Sequence, residues 1–444
     1  MGLDRQPRMG WVAPRRSRAR AVLLSLLLAV GLVVGTLVWA RAPVTVRVLM
    51  PAPFADATAA TVADFNRRHR DMRIAVTRGP FETEAVSDLA ISSLLLGDSP
   101  YDLLLVDVTW TAKYARAGWL LPLDDWLGDD PLEPLVAGAR TGNRIDGSLW
   151  RLPLVADMGL LYWRTDLMDT PPRTPQELVA TSRRLQQEDK VRWGYVWQGR
   201  QYEGLSCVFV ELIEAFGGHW GGGDGMGLDR PAAARAAGWM RDLITTGITP
   251  AAVTNFAEPE VLQTFESGDA AFMRNWPYAW QELQKPTSAV AGKVGITTMV
   301  AEPGGTHAAT QGSWGLAVLA GTPHRAEAIT ALKALTGEDS QRQLVKQWGY
   351  TPTFRALFED PELVALQPQL PVLQRALEVA VLRPITPAYA QLSDILQRKL
   401  SQAISGVTGP RLAMERAGKG SRQLLEAIGE EPTGRPEATP EGEP

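Results

Sequence analysis

The sequence predicts an α/β protein built of two lobes. Its 444 residues exceed what one ordinary hydrophobic core holds, so two cores are expected. Strand-like and helix-like patterns alternate from Val44 onward, which is typical of an α/β lobe. The run Leu103-Leu104-Leu105-Val106 is apolar throughout, as in a strand that is covered on both faces of its sheet.

Hydrophobic periodicity gives the individual elements. Val44 to Met50 alternates as a strand, and residues 55–69 carry Ala59, Val62 and Phe65 at helical spacing. Further strands are predicted at 73–77, 103–106, 191–198, 270–273, 294–300 and 314–320. Further helices are predicted at 83–96, 174–189, 203–216, 231–246, 325–336, 340–348, 361–383 and 389–405.

The chain is organised around Trp150–Leu167, a strand-like run with one carboxylate, Asp157, in its middle. Burying an unpaired charge is costly, so Asp157 either has a partner inside the protein or meets one from outside. Gly159 would let the backbone bend there. We interpret the run as a strand that crosses between the lobes and presents Asp157 to the cleft. The alternative is a buried strand whose aspartate caps a neighbouring turn.

The first 42 residues have the composition of an export signal. The cluster Arg15, Arg16, Arg18 and Arg20 directly precedes an uncharged run from Ala21 to Ala40, and Ala40-Arg41-Ala42 has the form of a signal-peptidase site. We therefore expect a periplasmic protein. The apolar run is nearly long enough to span a bilayer, so an uncleaved anchor in the inner membrane is the alternative. From residue 430 onward the chain is rich in Pro, Glu and Gly, which predicts a disordered tail.

Charge and cysteine content exclude several classes of partner. Without the seven arginines and one aspartate of residues 1–42, 38 basic and 48 acidic residues remain, a net charge of about −10. Such a charge argues against nucleic acid and anionic membranes as partners. Cys207 is the only cysteine, so no internal disulfide forms, and a lipid anchor, which needs a cysteine directly after the signal, is excluded. We expect a monomer.

The sequence contains no pattern typical of a metal site or a nucleophile. The four histidines are scattered without ligand spacing, and no cofactor is predicted. Asp107 and Asp157 are the one candidate acid/base pair, of the kind that cleaves glycosides. Nothing in the local sequence favours a raised pKa for either carboxyl.

Tryptophan is the residue type that stands out. The chain has 15, and Trp110, Trp276 and Trp314 fall at predicted strand ends beside polar groups. An indole face offers flat apolar area to a sugar ring, and a carboxylate such as Asp107 or Asp157 accepts hydrogen bonds from its hydroxyls. Together they indicate a carbohydrate cleft. For each tryptophan alone, filling the core is the alternative.

An ordered set of motifs extends this interpretation and resembles the family 1 extracellular solute-binding proteins, the sugar receptors of ABC importers. The resemblance covers residues 44–429 and is closest to the trehalose/maltose-binding branch. Its motifs are Asp107 after an apolar strand, Leu121-Pro122-Leu123-Asp124, Leu152-Pro153, Asp157-Met-Gly-Leu-Leu-Tyr162, Arg164-Thr-Asp166-Leu167, Gly194-Tyr195, Gln198-Gly199, Gln201-Tyr202-Glu203-Gly204, Phe272-Met-Arg-Asn-Trp276-Pro277, Gly312-Ser-Trp314-Gly315 and Arg383-Pro384-Ile385-Thr386-Pro387.

The resemblance implies a type II periplasmic-binding fold whose two lobes close on a ligand like a flytrap, with three hinge crossings. Lobe 1 would hold residues 44–156 and 315–354, and lobe 2 would hold 158–312 and 359–429. The resemblance also implies a role for each candidate residue of the cleft other than Trp110. Asp107 and Asp157 would bind the hydroxyls of the sugar, and Trp276 and Trp314 would stack on its rings. Gly312 would contact the sugar through its backbone, and Arg383 would reach it from lobe 2.

Two departures from the branch fall on the sugar site. The branch often has an aromatic residue where this chain has Val155, and an acidic one near Pro53-Phe54, where only Asp56 is found. Both departures point away from trehalose and maltose as the ligand and toward a smaller glycoside such as glucosylglycerol, or toward sucrose. All four sugars are kept as candidates. The function predicted is that of a non-enzymatic receptor that delivers its sugar to an ABC permease. The alternatives are a secreted glycoside hydrolase and a sugar-sensing binding protein.

We predict that the mature protein begins near Pro43, because the arginine cluster, the apolar run and the small-residue site occur in the order of a cleaved signal. Mass spectrometry of the exported protein measures this directly. An intact N-terminus recovered with the membrane fraction would identify the segment as an anchor.

Overall fold

The structure, a computed structural model, describes Ser25 and residues 43–80, 83–97, 99–221 and 227–429. Apart from Ser25, the predicted export segment lies outside the described residues, and so does the predicted tail. Of the helices in the described ranges, none combines the length and the apolar character needed to cross a membrane.

The described chain contains strands of two to seven residues. In chain order they are β1 Val44–Met50, β2 Met72–Arg78, β3 Leu103–Asp107, β4 Arg144–Ile145, β5 Ser148–Leu149, β6 Leu152–Val155, β7 Leu160–Arg164, β8 Trp193–Val196, β9 Ala270–Asn275, β10 Val294–Thr297, β11 Ala309–Thr310, β12 Trp314–Val318 and β13 Ala380–Val381.

Helices alternate with these strands. They are α1 Ala52–Arg68, α2 Thr83–Leu95, α3 Thr111–Arg116, α4 Asp124–Leu127, α5 Ala137–Arg140, α6 Pro175–Gln187, α7 Glu203–Ala215, α8 Arg230–Thr245, α9 Glu258–Glu266, α10 Ala279–Leu283, α11 Arg325–Thr336, α12 Glu338–Trp348, α13 Arg355–Glu359, α14 Pro361–Leu366, α15 Leu370–Glu378, α16 Tyr389–Ile404 and α17 Pro410–Ile428.

Two sequence expectations about these elements are wrong. The single helix expected over 361–383 is divided into α14, α15 and β13, because Pro368 cannot donate the backbone hydrogen bond that would continue α14. The run 150–167 is not one strand but two, β6 and β7, which belong to different sheets. Asp157 lies in the connection between them. Helix α17 was not predicted.

The first sheet has five strands in the order β2-β1-β3-β12-β6. Strands β2 and β3 run parallel to β1, and β12 runs antiparallel to both β3 and β6. Every residue of β3 is buried, because its side chains alternate between two apolar clusters. Leu103 and Leu105 join one cluster, while Leu104 and Val106 join the other. The uninterrupted apolar run in the sequence follows from this cover on both faces.

The second sheet has four strands in the order β10-β7-β9-β8. Strand β7 pairs antiparallel with β9, with Leu160 opposite Asn275. Neighbouring side chains again alternate between clusters: Phe272 packs beneath α7, α8, α16 and α17, whereas Met273 belongs to the cluster that continues into the first sheet. One apolar cluster therefore includes side chains from both sheets.

Short backbone contacts join the segments that connect the two sheets. Gly312 donates its N–H to the carbonyl of Asp157 at 2.8 Å, and Gly159 donates to Thr310 at 3.1 Å. A third segment joins through Ala156, whose N–H donates to the carbonyl of residue 351 at 3.1 Å. The strands of the first sheet come from residues 44–155 and 314–318, and those of the second from 160–297. The finer lobe limits given above remain a prediction.

Candidate functional site

Asp107 ends β3 with its side chain buried. Its Oδ1 accepts hydrogen bonds from the backbone N–H of Thr109 at 2.9 Å, from the Thr109 hydroxyl at 2.7 Å and from Arg383 Nη2 at 3.2 Å. The bond from the Thr109 N–H caps the 3₁₀ turn Val108–Trp110. Within the described part of the chain, Oδ2 has no hydrogen-bond donor. This second oxygen is therefore free to accept from a ligand.

Arg383 links Asp107 to helix α7. Its guanidinium is buried, and Nη1 donates to Glu203 Oε1 at 2.6 Å while Nη2 also donates to the carbonyl of Gln311 at 3.3 Å. The Glu203 carboxylate is held in turn by the hydroxyls of Tyr389 and of Ser393, the latter at 2.6 Å. Arg383 is thus fixed by carboxylates at both ends of its fork.

A second buried arginine lies under this pair. Arg151 donates from Nη1 to the carbonyls of Val106 at 3.2 Å and Ser313 at 3.1 Å, while its Nε and Nη2 have no hydrogen bond. Burial lowers the pKa of Arg151 to about 10, and the charge of Asp107 opposes that shift. Two buried guanidinium groups, those of Arg151 and Arg383, therefore place positive charge beside Asp107.

Four aromatic rings form a continuous row beside Asp107. Trp314, the first residue of β12, pairs in register with Asp107. The Trp110 ring meets Trp314 edge-on at 84°, with centroids 5.3 Å apart, and Phe54 lies 5.3 Å away on another side. Tyr350 stacks on Phe54 at 5.2 Å. Trp110, Trp314 and Tyr350 are only half-buried, so the row offers apolar area to a ligand.

The Asp157 side chain is half-buried and makes no ion pair with any described residue. Burial raises the pKa of Asp157 to about 7, and Thr351 acts in the opposite direction. No local sequence pattern had indicated a raised pKa at either candidate carboxyl. Burial, followed by the charge of Asp157, also raises the pKa of Tyr350, which places Asp157 near the aromatic row.

Trp276 directly follows β9 and is held at several points. Its indole N–H donates to Glu258 Oε1 at 3.1 Å, and its carbonyl accepts from the Tyr162 hydroxyl at 2.7 Å. A Cβ at Gly312 would lie 2.9 Å from the indole Cζ3, so a side chain there would displace the ring. Glu258 Oε2 also accepts from the hydroxyl of Tyr202 at 2.7 Å.

The seven candidate residues from the sequence thus form two groups. Asp107, Trp110, Trp314 and Arg383 are connected by ring contacts, strand register and an ion pair. Asp157, Gly312 and Trp276 are connected through the crossing segments. Gln311 and Tyr350 connect the groups, the first through its carbonyl bond to Arg383. A binding role for all seven remains a prediction.

Sequence reasoning missed several residues that shape this site. Phe54 was noted only as a departure from the family pattern, and Tyr350 carried no signal. Glu258 opens α9 with no motif around it, and Arg151 lay inside the run 150–167 without being singled out. Among the described residues, no three His, Cys, Asp or Glu side chains are grouped so that they could hold a metal ion.

Comparison with known proteins identifies the kind of molecule to which this site belongs. Residues 50–342 match the bacterial extracellular solute-binding proteins. The chain belongs to this family. A probable ABC transporter-binding protein of Deinococcus radiodurans is 33% identical to it, over 76% of this chain and 83% of its own length. As a family member, the chain is an extracellular solute-binding receptor.

Solved structures share the fold. Maltose-bound MalE3 of T. maritima superposes with a TM-score of 0.79 at 30% identity, over 86% of this chain and 100% of that one. The GacH receptor of Streptomyces glaucescens, solved unliganded and with acarbose, has a TM-score of 0.76 at 22% identity, over 87% and 99%. The predicted family and the two-lobe fold are confirmed.

The raised pKa of Asp157 predicts how stability depends on pH. Below about pH 4 the carboxyl is protonated in both the folded and the unfolded state; between about pH 4 and pH 7 only the unfolded state ionises. The free energy of unfolding should therefore fall across this window, by no more than about 4 kcal/mol, and level off above it. Chemical denaturation from pH 4.5 to 8 should show this fall in the wild type and a smaller one in Asp157→Asn.

Asp56→Asn serves as the control. Hydrogen bonds from Arg78 lower the pKa of the exposed Asp56 carboxyl. The stabilisation that the ionised Asp56 gives the folded state is therefore lost only below pH 4. This variant should keep the wild-type decline between pH 4 and 7. Equal pH profiles for wild type and Asp157→Asn would show that Asp157 is ionised in the folded protein.

Proposed function

We propose that the protein is an extracytoplasmic receptor that binds a disaccharide or similar glycoside and delivers it to an ABC importer. The observation that carries this proposal is the aromatic row Trp110–Trp314–Phe54–Tyr350 beside two carboxylates, Asp107 and Asp157. Flat rings suit the apolar face of a sugar, and carboxylate oxygens accept from its hydroxyls. Maltose in the MalE3 structure supports the same ligand class.

A glycoside hydrolase is the second candidate, and one observation favours it. A hydrolase of this type needs one carboxyl that is protonated at neutral pH and one that is ionised. Asp157 has a pKa of about 7, and Asp107 is ion-paired to Arg383. Against catalysis, Oδ1 of Asp107 is already occupied by three donors, and the family consists of binding receptors. We therefore favour a receptor without catalytic activity.

A thermal-shift screen tests this function and separates the candidates. A ligand that binds only the folded state raises the melting temperature. At a free concentration one hundred times its Kd, the ligand adds about 2.7 kcal/mol to the free energy of unfolding. Trehalose, sucrose, maltose and glucosylglycerol should include at least one stabilising ligand, and monosaccharides should act more weakly. The same mixtures are analysed for released monosaccharide. Catalytic release of monosaccharide would identify a hydrolase, and no stabilisation by any glycoside would contradict sugar binding.

Replacing Asp157 or Trp276 should weaken binding and leave folding intact, because both side chains are only half-buried. Asp157→Ala removes a charged acceptor, worth about 1.5–3 kcal/mol, or roughly tenfold to a hundredfold in affinity at pH 8. Trp276→Ala removes a stacking surface worth about 2 kcal/mol or more. Calorimetric titration measures both, with melting curves of the ligand-free forms.

Trp126→Ala is the matched control for these variants, since this tryptophan of α4 is 37% exposed and lies outside the candidate set. Its affinity should equal that of the wild type. If Asp157→Ala and Trp276→Ala melt many degrees lower but bind sugar normally, both residues are structural and the site lies elsewhere.

A further inference from the structure

A fully buried ion pair lies beneath the candidate cleft, and no role described so far uses it. Arg274 on β9 donates through Nε and Nη2 to both oxygens of Glu211 on α7, at 2.5 to 3.2 Å. Both side chains are 0% exposed. An apolar pair of similar volume is often as stable as a buried ion pair, so stability alone does not account for these charges.

The pair touches two of the chain segments that carry cleft residues. Arg274 is on β9, and Trp276 directly follows that strand two residues later, with both side chains on the same side of the chain. Thr310 stands two residues before Gly312, and its backbone N–H donates to Glu211 Oε1 at 3.3 Å. One carboxylate thus holds both the segment of Trp276 and the segment of Gly312.

The segment between β6 and β7, which carries Asp157, also contacts the ion pair. Gly159, two residues further on, packs directly against the ion pair. A Cβ at this position would lie 1.7 Å from Glu211 Oε1 and 2.3 Å from Arg274 Nη2, distances that no side chain could occupy. Only glycine lets the crossing segment approach this closely. The ion pair therefore contacts the three segments that carry Trp276, Gly312 and Asp157.

The contact that matters for a ligand is between Arg274 and the indole of Trp276. The guanidinium carbon lies 4.1 Å from the ring centroid, within the range of a cation–π interaction. Glu211 fixes the plane of that guanidinium by accepting from two of its nitrogens. At the ring's edge, Glu258 accepts from the indole N–H. The ring is thereby fixed by one face and one edge, and its remaining surface is half-buried.

We propose that Glu211 and Arg274 are positioning residues that hold the Trp276 ring in its binding orientation before a ligand arrives. The inference rests on the proposed sugar-binding function. A ring that is already ordered loses little side-chain freedom on binding, so more of the contact energy appears as affinity. A flexible apolar side chain in place of Arg274 would fill the space without fixing the angle of the ring, which explains the choice of a planar charged group.

The test replaces both charges together, as Glu211→Met/Arg274→Met. Removing one charge would leave the other buried without a partner, whereas an apolar pair of similar volume is expected to preserve the fold. Arg164→Met/Asp166→Ala is the matched control. That pair is also bidentate, with N···O distances of 2.6 and 2.7 Å, but lies at the far end of β7 in the same sheet.

The first measurement requires no sugar. The protein is labelled with 5-fluorotryptophan, and the fluorine resonance of Trp276 is assigned by its absence from the spectrum of Trp276→Phe. The wild type and the control should give one sharp Trp276 resonance. The Glu211→Met/Arg274→Met protein should give a shifted resonance that is broadened or split, since the ring samples several orientations. An unchanged resonance in this folded variant overturns the proposal.

The second measurement is affinity for the sugar found in the screen. Glu211→Met/Arg274→Met should bind roughly twofold to thirtyfold more weakly than wild type, the range expected for losing a cation–π contact, and the control should bind normally. In a Trp276→Ala background the same double change should cost nothing further. An equal loss in that background would mean that the pair acts on the fold rather than on Trp276, and would overturn the proposal.

Two further outcomes remain decisive. If Glu211→Met/Arg274→Met does not fold, Arg274→Lys takes its place, because lysine keeps a charge for Glu211 but has no planar group to lay on the ring. Its Trp276 resonance should broaden in the same way, and a wild-type resonance would overturn the proposal. If the wild type binds no glycoside, the proposed function fails, and the fluorine spectra still decide whether the pair positions the ring.

Discussion

Two backbone hydrogen bonds between the crossing segments, Gly312 to Asp157 and Gly159 to Thr310, determine where the candidate cleft residues stand. The bonds bring residues separated by about 150 positions along the chain into register. Once that register is set, β12 begins two residues later and places Trp314 opposite Asp107. The positions of the cleft residues therefore depend on this pairing between the crossing segments. A shift of one residue in the pairing would turn each side chain to the other face.

Asp107, Glu258 and Asp157 are held in different ways, and their chemistry follows from the difference. Asp107 accepts from Arg383 in a buried ion pair. Glu258 accepts from the neutral groups of Trp276 and Tyr202. Asp157 has no cation beside it in the described structure, and burial raises its pKa to about 7, so its charge depends on pH near neutrality. An acceptor of this kind gains most from a ligand that donates hydrogen bonds, because such a ligand stabilises the charged form.

Local patterns in the sequence were enough for most of the fold, and long-range contacts explain most of what they missed. The buried strand β3 was predictable because its apolar run records cover on both faces. The division of the 361–383 helix depended on Pro368, whose effect local periodicity had hidden. The motifs of a family supplied Arg383, whose partner Asp107 is 276 residues away.

Other residues of the site could not have been found from spacing. Glu211 stands within an apolar helix and resembles an ordinary solvent-facing glutamate until the structure shows it buried against Arg274. Phe54 and Tyr350 contribute to the aromatic row only because α1 and the end of α12 come together beside Trp314. The raised pKa of Asp157 has its origin in burial, which a sequence does not display.

Helix α7 carries Glu203 in its first turn and Glu211 two turns later, and each of these acids holds an arginine of the site. Because a helix is stiff, Arg383 and Arg274 are bound to two positions of one rigid element, about 12 Å apart along its axis. Engineering the receptor toward another solute would therefore meet non-additive effects: a substitution that tilts α7 to suit one end of a new ligand moves the support at the other end. The helix with both its acids is the unit to redesign.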